Sequence, residues 1–386
     1  MPEPTPDRQL DEFLEIRKPG AHLEDDVIAD DFVLMLGVDL HDFPKFPRVD
    51  DGVTYPKAAL DVRQQVDVDS GAELDDYSGP WRAQFRYTDF SRDALATKFL
   101  PWSEAYLMLC VDGWAAEVAR RYGDATMAEI EWAAWNDQVV PELDRMRSEF
   151  LPAGTTYVDP NQVVADAERP ATRVVYTGLF TARPGTSELT KPELVTWLLG
   201  SHEYLLQCIE GWAAQIVVRY GLDTMFDIQW TLWGDTVLPG AKALKAEYLG
   251  IGDGSVEEWM KDLQVDATAM PGKAFDLTFE MPEPEVGIMT FNRCVAVDQW
   301  ESMGRPDILE KNCHSTCPKS MIETTRMYHP NMKVDILAIP PRRDPDDVCC
   351  KWRFSMRSED DPDYVPITLT GKPRSGGDVE EPTRET

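Results

Sequence analysis

From about residue 80 to residue 250 apolar side chains return every three or four positions, and beyond residue 270 they return every second position. The first spacing belongs to a helix with one buried stripe, the second to a strand with one buried face. The chain therefore predicts an α+β protein, a helical bundle followed by an antiparallel sheet domain.

The helical region repeats. Setting Trp114 against Trp212, a shift of 98 (212 − 114), brings a long run into register. Cys110 meets Cys208, Gly113-Trp114-Ala115-Ala116 meets Gly211-Trp212-Ala213-Ala214, and Arg121-Tyr122-Gly123 meets Arg219-Tyr220-Gly221. Trp132, Trp135, Asp137 and Pro141 then meet Trp230, Trp233, Asp235 and Pro239, which reads as an internal duplication. Each copy predicts a pair of helices. The first starts near Ser91 or Thr190, where Thr190-Lys191-Pro192-Glu193 forms a capping box with an early proline. It runs to Tyr122 or Tyr220, with Gly123 or Gly221 as its stop. The second starts near Thr126 or Thr224, and Pro141 and Pro239 are expected to kink or interrupt it. Two copies predict a pseudo-symmetric bundle of four or more helices. The copies differ at Ser103-Glu104-Ala105 against Ser201-His202-Glu203, and at Glu117 and Glu131 against Gln215 and Gln229. Drift on solvated faces is the simpler reading of those differences; one asymmetric site shared by the copies is the sharper one.

This pattern divides the chain into an acidic, proline-rich segment 1–79 expected to lie over later domains, a first helical repeat 80–152, a linker and second repeat 153–254, a cysteine-rich α+β domain 255–370 and a disordered tail 371–386. The linker carries one strand-like piece, Arg173–Thr177. In the sheet domain Phe275, Leu277, Phe279 and Met281 alternate with polar residues, Pro282–Glu285 turns the chain, and Gly287–Val295 returns. Helical pieces are expected around Asp298–Met303 and Pro318–Tyr328, and closing strands at Lys333–Ile339 and Val348–Arg357, giving a β-β-α-α-β-β order.

Charge narrows the partners. A net charge of −31 repels phosphate backbones and anionic bilayers, which argues against nucleic acid and membrane as partners and leaves a small molecule. A homo-oligomer is compatible with the composition. The start of the chain lacks the pattern of a signal peptide, and no apolar run approaches the ~20 residues of a membrane span. A cytoplasmic, reducing setting is expected, and seven cysteines there point to thiol or metal chemistry over disulfides.

Five of those cysteines fall between Cys294 and Cys350. Cys317 precedes Pro318, which places it near a helix N-cap, where free N–H groups stabilise a thiolate. On that reading Cys317 attacks a substrate, His314 shuttles the proton, and Arg293 holds a substrate carboxylate. A second reading gathers Cys294, Cys313, Cys317 and Cys350 around tetrahedral zinc, the one cofactor these residues suggest. A third leaves Cys294 and Cys350 as small core hydrophobes. Cys110 and Cys208 read as core. The tryptophans do so too, although Trp135 and Trp233, with His202, also suit the wall of a pocket for a planar ligand.

These motifs resemble a family. Gly-Trp before a helix end at Tyr-Gly, followed by Trp-x-x-Trp, is similar to the helical part of proteins grouped with L-2-amino-thiazoline-4-carboxylic acid hydrolase. Asn292-Arg293-Cys294, the pair Cys313 and Cys317, Pro340-Pro341-Arg342-Arg343 and Asp346–Phe354 resemble that family's C-terminal part. The resemblance covers roughly residues 85–357, with the helical portion present twice. It implies hydrolytic opening of a small sulfur–nitrogen ring. Pro318 stands where the family pattern has an acidic residue.

Overall fold

The computed structural model describes residues 71–141, 189–252, 254–265, 275–294, 309–344 and 347–364, with the single positions 143, 150, 174, 176, 297, 298 and 301. Helix α1 opens as Arg92–Ala94, passes through a π-helical segment Leu95–Phe99 and continues as Leu100–Tyr122. Helix α2 is Asp124–Ala134, extended by a π segment Trp135–Val139. Helix α3 is Lys191–Tyr220, and α4 is Leu222–Leu232, which passes through a π segment Trp233–Val237 into α5, Leu238–Leu249. Helix α6, Val256–Val265, leads to strands β1 (Phe275–Glu283) and β2 (Val286–Cys294). A π segment Glu310–Thr316 runs into α7, Cys317–Tyr328, and strands β3 (Met332–Ala338) and β4 (Cys350–Met356) close the domain.

The helix ends follow from local chemistry. Ser91 Oγ accepts the Ala94 N–H at 3.1 Å, and the Glu193 carboxylate accepts the Thr190 N–H at 2.7 Å, each satisfying a donor that the first turn leaves open. Gly123 and Gly221 have φ of +87° and +84°, in a region that only glycine enters freely. Each ends one helix and starts the next: Gly123 N–H donates to Ala119 O while its own carbonyl receives the Met127 N–H.

The prolines behave differently from expectation. Among the described residues all four π segments end two residues before a proline: Pro101, Pro141, Pro239 and Pro318. The residue preceding each proline sends its N–H five positions back, Leu100 to Leu95 O, Val140 to Trp135 O, Leu238 to Trp233 O and Cys317 to Asn312 O. In a regular α-helix a proline lacks the N–H and its ring meets the carbonyl four residues back. Widening the turn by one residue relieves that collision, so the helices run on through the prolines.

Two pairs of positions 98 apart meet in the bundle. Ser103 and Ser201 hydroxyls are 2.6 Å apart in its interior, and the Tyr122 and Tyr220 rings stack at 3.9 Å and 2°. Gly113 of α1 lies against Leu232 and Val237, while Gly211 of α3 lies against Ala134 and Gln138. Glu117, Glu131 and Gln215 are buried, not on solvated faces. Glu131 accepts the Val174 N–H at 3.0 Å, Glu117 pairs with Arg120 and Arg121, and Gln215 donates to Asp137 at 2.9 Å. A solvated face therefore does not describe Glu117, Glu131 or Gln215, each of which is buried with a polar partner of its own.

The sheet has the order β1-β2-β4-β3 and is antiparallel throughout. Trp352 and Phe354 alternate into the same core as Trp114 and Trp212 of the bundle, bridged by Trp259 of α6, 5.7 Å from Phe354 between ring centroids. Buried Lys245 and Asp262, 2.5 Å apart, tie α5 to α6. Residues 71–90 are fastened to α6, where Lys261 Nζ donates to Gly79 O at 2.7 Å and Gln264 accepts the Phe85 N–H at 2.8 Å. Most of the expected strand at Arg173–Thr177 and of the helical piece at Asp298–Met303, with segment 1–70 and the tail, lie outside the described residues. Among the described residues no helix is long and apolar enough to cross a membrane.

Candidate functional site

Strand pairing collects the cysteines. β2 ends in Asn292-Arg293-Cys294 beside the start of β4, where the Cys349 N–H donates to Phe291 O at 2.8 Å. The Cys349 sulfur accepts the Cys294 backbone N–H at 3.2 Å, and the Cys350 sulfur accepts the Trp352 indole N–H at 3.1 Å. Cys313 comes from the π segment ahead of α7 and Cys317 from the first position of α7. The five fall into two adjoining packing groups. Cys313 and Cys349 are buried with Val297 and Leu309 in a small apolar cluster edged by Cys294, Phe291 and Ile339, while Cys317 and Cys350 lie against the main core.

The two groups adjoin closely enough to feel each other's charge. Burial pushes the Cys313 thiol up to about 12, and a neighbouring thiolate at Cys317 or Cys349 pushes the same way. Burial holds Cys294 well above the usual thiol range, with Cys349 adding to the shift, and raises Cys350 as well. Cys349 is pushed up to about 11 by burial, against which the Arg342 guanidinium acts. The zinc set proposed from spacing, Cys294, Cys313, Cys317 and Cys350, draws sulfurs from both packing groups. Among the described residues no group of three His, Cys, Asp or Glu side chains is arranged to hold a metal ion.

Cys317 is not at a helix start. The π segment precedes it, its N–H is spent on Asn312 O, and burial pushes its thiol up to about 11. The dipole that was to favour a thiolate there is absent, because Pro318 sits inside a helix and not in a first turn. Lys319, two residues further on, places its ammonium 3.9 Å from the centre of the Trp230 ring. His314 Nε2 lies 2.5 Å from the Pro340 carbonyl. A carbonyl only accepts, so Nε2 carries the hydrogen and Nδ1 is the basic nitrogen.

Arg293 is engaged by the chain itself. Its Nε donates to Asp298 at 2.8 Å, and Asp298 also receives Arg342 Nη2 at 2.6 Å. Glu301 holds Arg342 as well, at 2.9 Å from Nε and 3.1 Å from the Arg342 backbone N. Two arginines and two carboxylates thus form one network beside Cys349. Asp298 and Glu301, spaced one helical turn apart, were the available sequence signal for that clamp.

The remaining predicted binding residues belong to the bundle. Trp135 is buried edge-on to Tyr176 and Tyr204. His202 Nε2 is 2.7 Å from the Tyr87 hydroxyl, and Trp102 lies edge-on to its ring. Trp233 is half-buried in the π segment that follows α4. The geometry joins Arg293, His314 and the five cysteines at one end of the sheet domain and leaves Trp135, Trp233 and His202 among bundle residues. Comparison with protein-family models, curated proteins and solved structures finds no match for this chain.

Proposed function

We propose that this chain is a thiol-dependent enzyme acting on a small heterocyclic or amide-like C–N bond, the hydrolase type that the sequence resemblance implies, with its chemistry at the cysteine end of the sheet domain. Cys349 carries the reading. It is the clustered thiol whose ionisation a neighbouring cation, Arg342, favours, and its sulfur receives the Cys294 N–H at 3.2 Å. The thiolate is the nucleophilic form of cysteine, and a fixed cation and an N–H donor both stabilise it. Cys349 takes the attacking role that spacing had given to Cys317, on a substrate small enough to reach a sulfur that is 1% exposed. Its sulfur bonds to the carbon of the C–N bond, the nitrogen leaves with a proton, and water then cleaves the acyl–sulfur bond and restores the thiol. Asp298 and Glu301 support this by holding Arg342 in place.

Small-electrophile labelling tests the proposal. Iodoacetamide should label Cys349 with a rate that climbs toward pH 11, and Arg342→Gln should move that climb to higher pH. A Cys349 that stays unlabelled through this range, while Cys294 and Cys350 react, removes the enzyme reading. Elemental analysis belongs beside it. About one zinc per chain, lost together with the fold on chelation, would put a metal-thiolate binding module in its place.

A further inference from the structure

We infer that Cys294 and Cys349 form a reversible dithiol–disulfide couple that exchanges with low-molecular-weight disulfides. The inference rests on placement and stands whether or not the site hydrolyses a C–N bond. The Cys294 N–H binds the Cys349 sulfur at 3.2 Å, so the sulfur of one residue lies against the backbone of the other. A disulfide requires such close approach of the two backbones, because its bond length and dihedral leave little reach. Other pairings fit less well. Cys349 and Cys350 are adjacent in sequence, but one is packed in the small cluster and the other against the main core. Cys313 is held in a helical turn, and Cys317 and Cys350 are packed against the main core.

Access sets the order of steps. Cys294 is half-buried and Cys349 is 1% exposed. The Cys294 thiolate attacks an external disulfide, forms a mixed disulfide and releases one small thiolate. The Cys349 thiolate, supported by the Cys294 N–H and by Arg342, then attacks the Cys294 sulfur and expels the second small thiolate. Two protein thiols are oxidised, one external disulfide is reduced to two small thiols, and the two protons lost by the protein end on those small thiols. The burial that raises both thiols makes the exchange slow near neutrality, so the couple responds to a sustained oxidising poise rather than to a brief one.

The experiment equilibrates the full chain with oxidised glutathione at pH 8, quenches it with acid and maps the cross-linked peptides by mass spectrometry. The expected result is a Cys294–Cys349 link that dithiothreitol removes, with Cys110 and Cys208 free. Cys349→Ser should leave glutathione attached to Cys294, and Cys313→Ser should leave the link intact. A folded protein, by circular dichroism, that keeps both residues reduced overturns the inference, as does a link that runs instead from Cys313 or between Cys317 and Cys350. Failure of the link leaves the alkylation profile of Cys349 untouched, so the two proposals fail separately.

Discussion

Gly113 and Gly211 occupy the same position in the two helical units, 98 residues apart, yet alanine at each should act with opposite sign. Glycine inside a helix costs ~1 kcal/mol relative to alanine, so replacement starts from a gain of that size. At Gly113 a Cβ would meet Val237 Cγ2 at 3.5 Å and Leu232 Cδ1 at 3.7 Å, ordinary contact distances. Gly113→Ala should therefore stabilise the protein by about 0.5–1 kcal/mol. At Gly211 the Cβ would lie 2.9 Å from the Ala134 carbonyl oxygen and 3.2 Å from Gln138 Cβ. That oxygen belongs to backbone and has no rotamer to escape through, so α3 and α2 must part. Overpacking of this kind costs ~1–3 kcal/mol, which offsets the helix gain and leaves Gly211→Ala less stable by about 1 kcal/mol. Urea unfolding followed by tryptophan fluorescence and far-ultraviolet circular dichroism reads both changes as midpoint shifts at constant slope. Shifts of the same sign in the two variants would refute the close approach of α3 to α2. Gly123→Ala and Gly221→Ala serve as a matched pair. Both sites are open and both have positive φ, so each should lose ~1–3 kcal/mol, by nearly equal amounts.

The Arg342 side chain is 9% exposed and answers two half-buried carboxylates, so Arg342→Ala should destabilise the protein by ~2–3 kcal/mol in chemical denaturation. Arg342→Lys should recover only part of that, since an ammonium cannot fork between Asp298 and Glu301; a loss below ~1 kcal/mol for the alanine variant would remove the clamp from the argument. Cys317, pushed up to about 11, should react with iodoacetamide slowly at pH 7 and about tenfold faster per pH unit up to that value. Fast labelling at neutral pH would restore it as a nucleophile. Hydrogen bonds from Arg120 and then Arg121 hold the Glu117 carboxyl below its ordinary range. A depressed folded value means the contribution is fully present above the ordinary carboxylate range and is lost as pH falls through the lowered one. The stability difference between wild type and Glu117→Gln should thus shrink on acidification, and a difference that grows toward low pH would contradict the pairing.

What the sequence determined alone is whatever depends on near neighbours. The change of period from 3.6 to 2 set helices before strands. Thr190 with Glu193, and Gly123 and Gly221, marked helix limits, because capping and positive φ are settled within one turn. Alternation in β4 put Trp352 and Phe354 on the buried face. Proline chemistry was local as well, but its outcome was not. Pro318 is equally compatible with a first turn and with a helix interior opened by a π turn, and packing of the preceding residues chose the second, which took Cys317 away from a helix start. Arg293 and Arg342 look like free cations in the chain and become a clamped pair only when Asp298 and Glu301 are brought to them. Cys349 and Cys350 look equivalent until the sheet gives one of them Cys294 and Arg342 as neighbours and the other the main core. Spacing fixes the direction in which a side chain leaves the backbone; what stands opposite it is decided by segments tens of residues away.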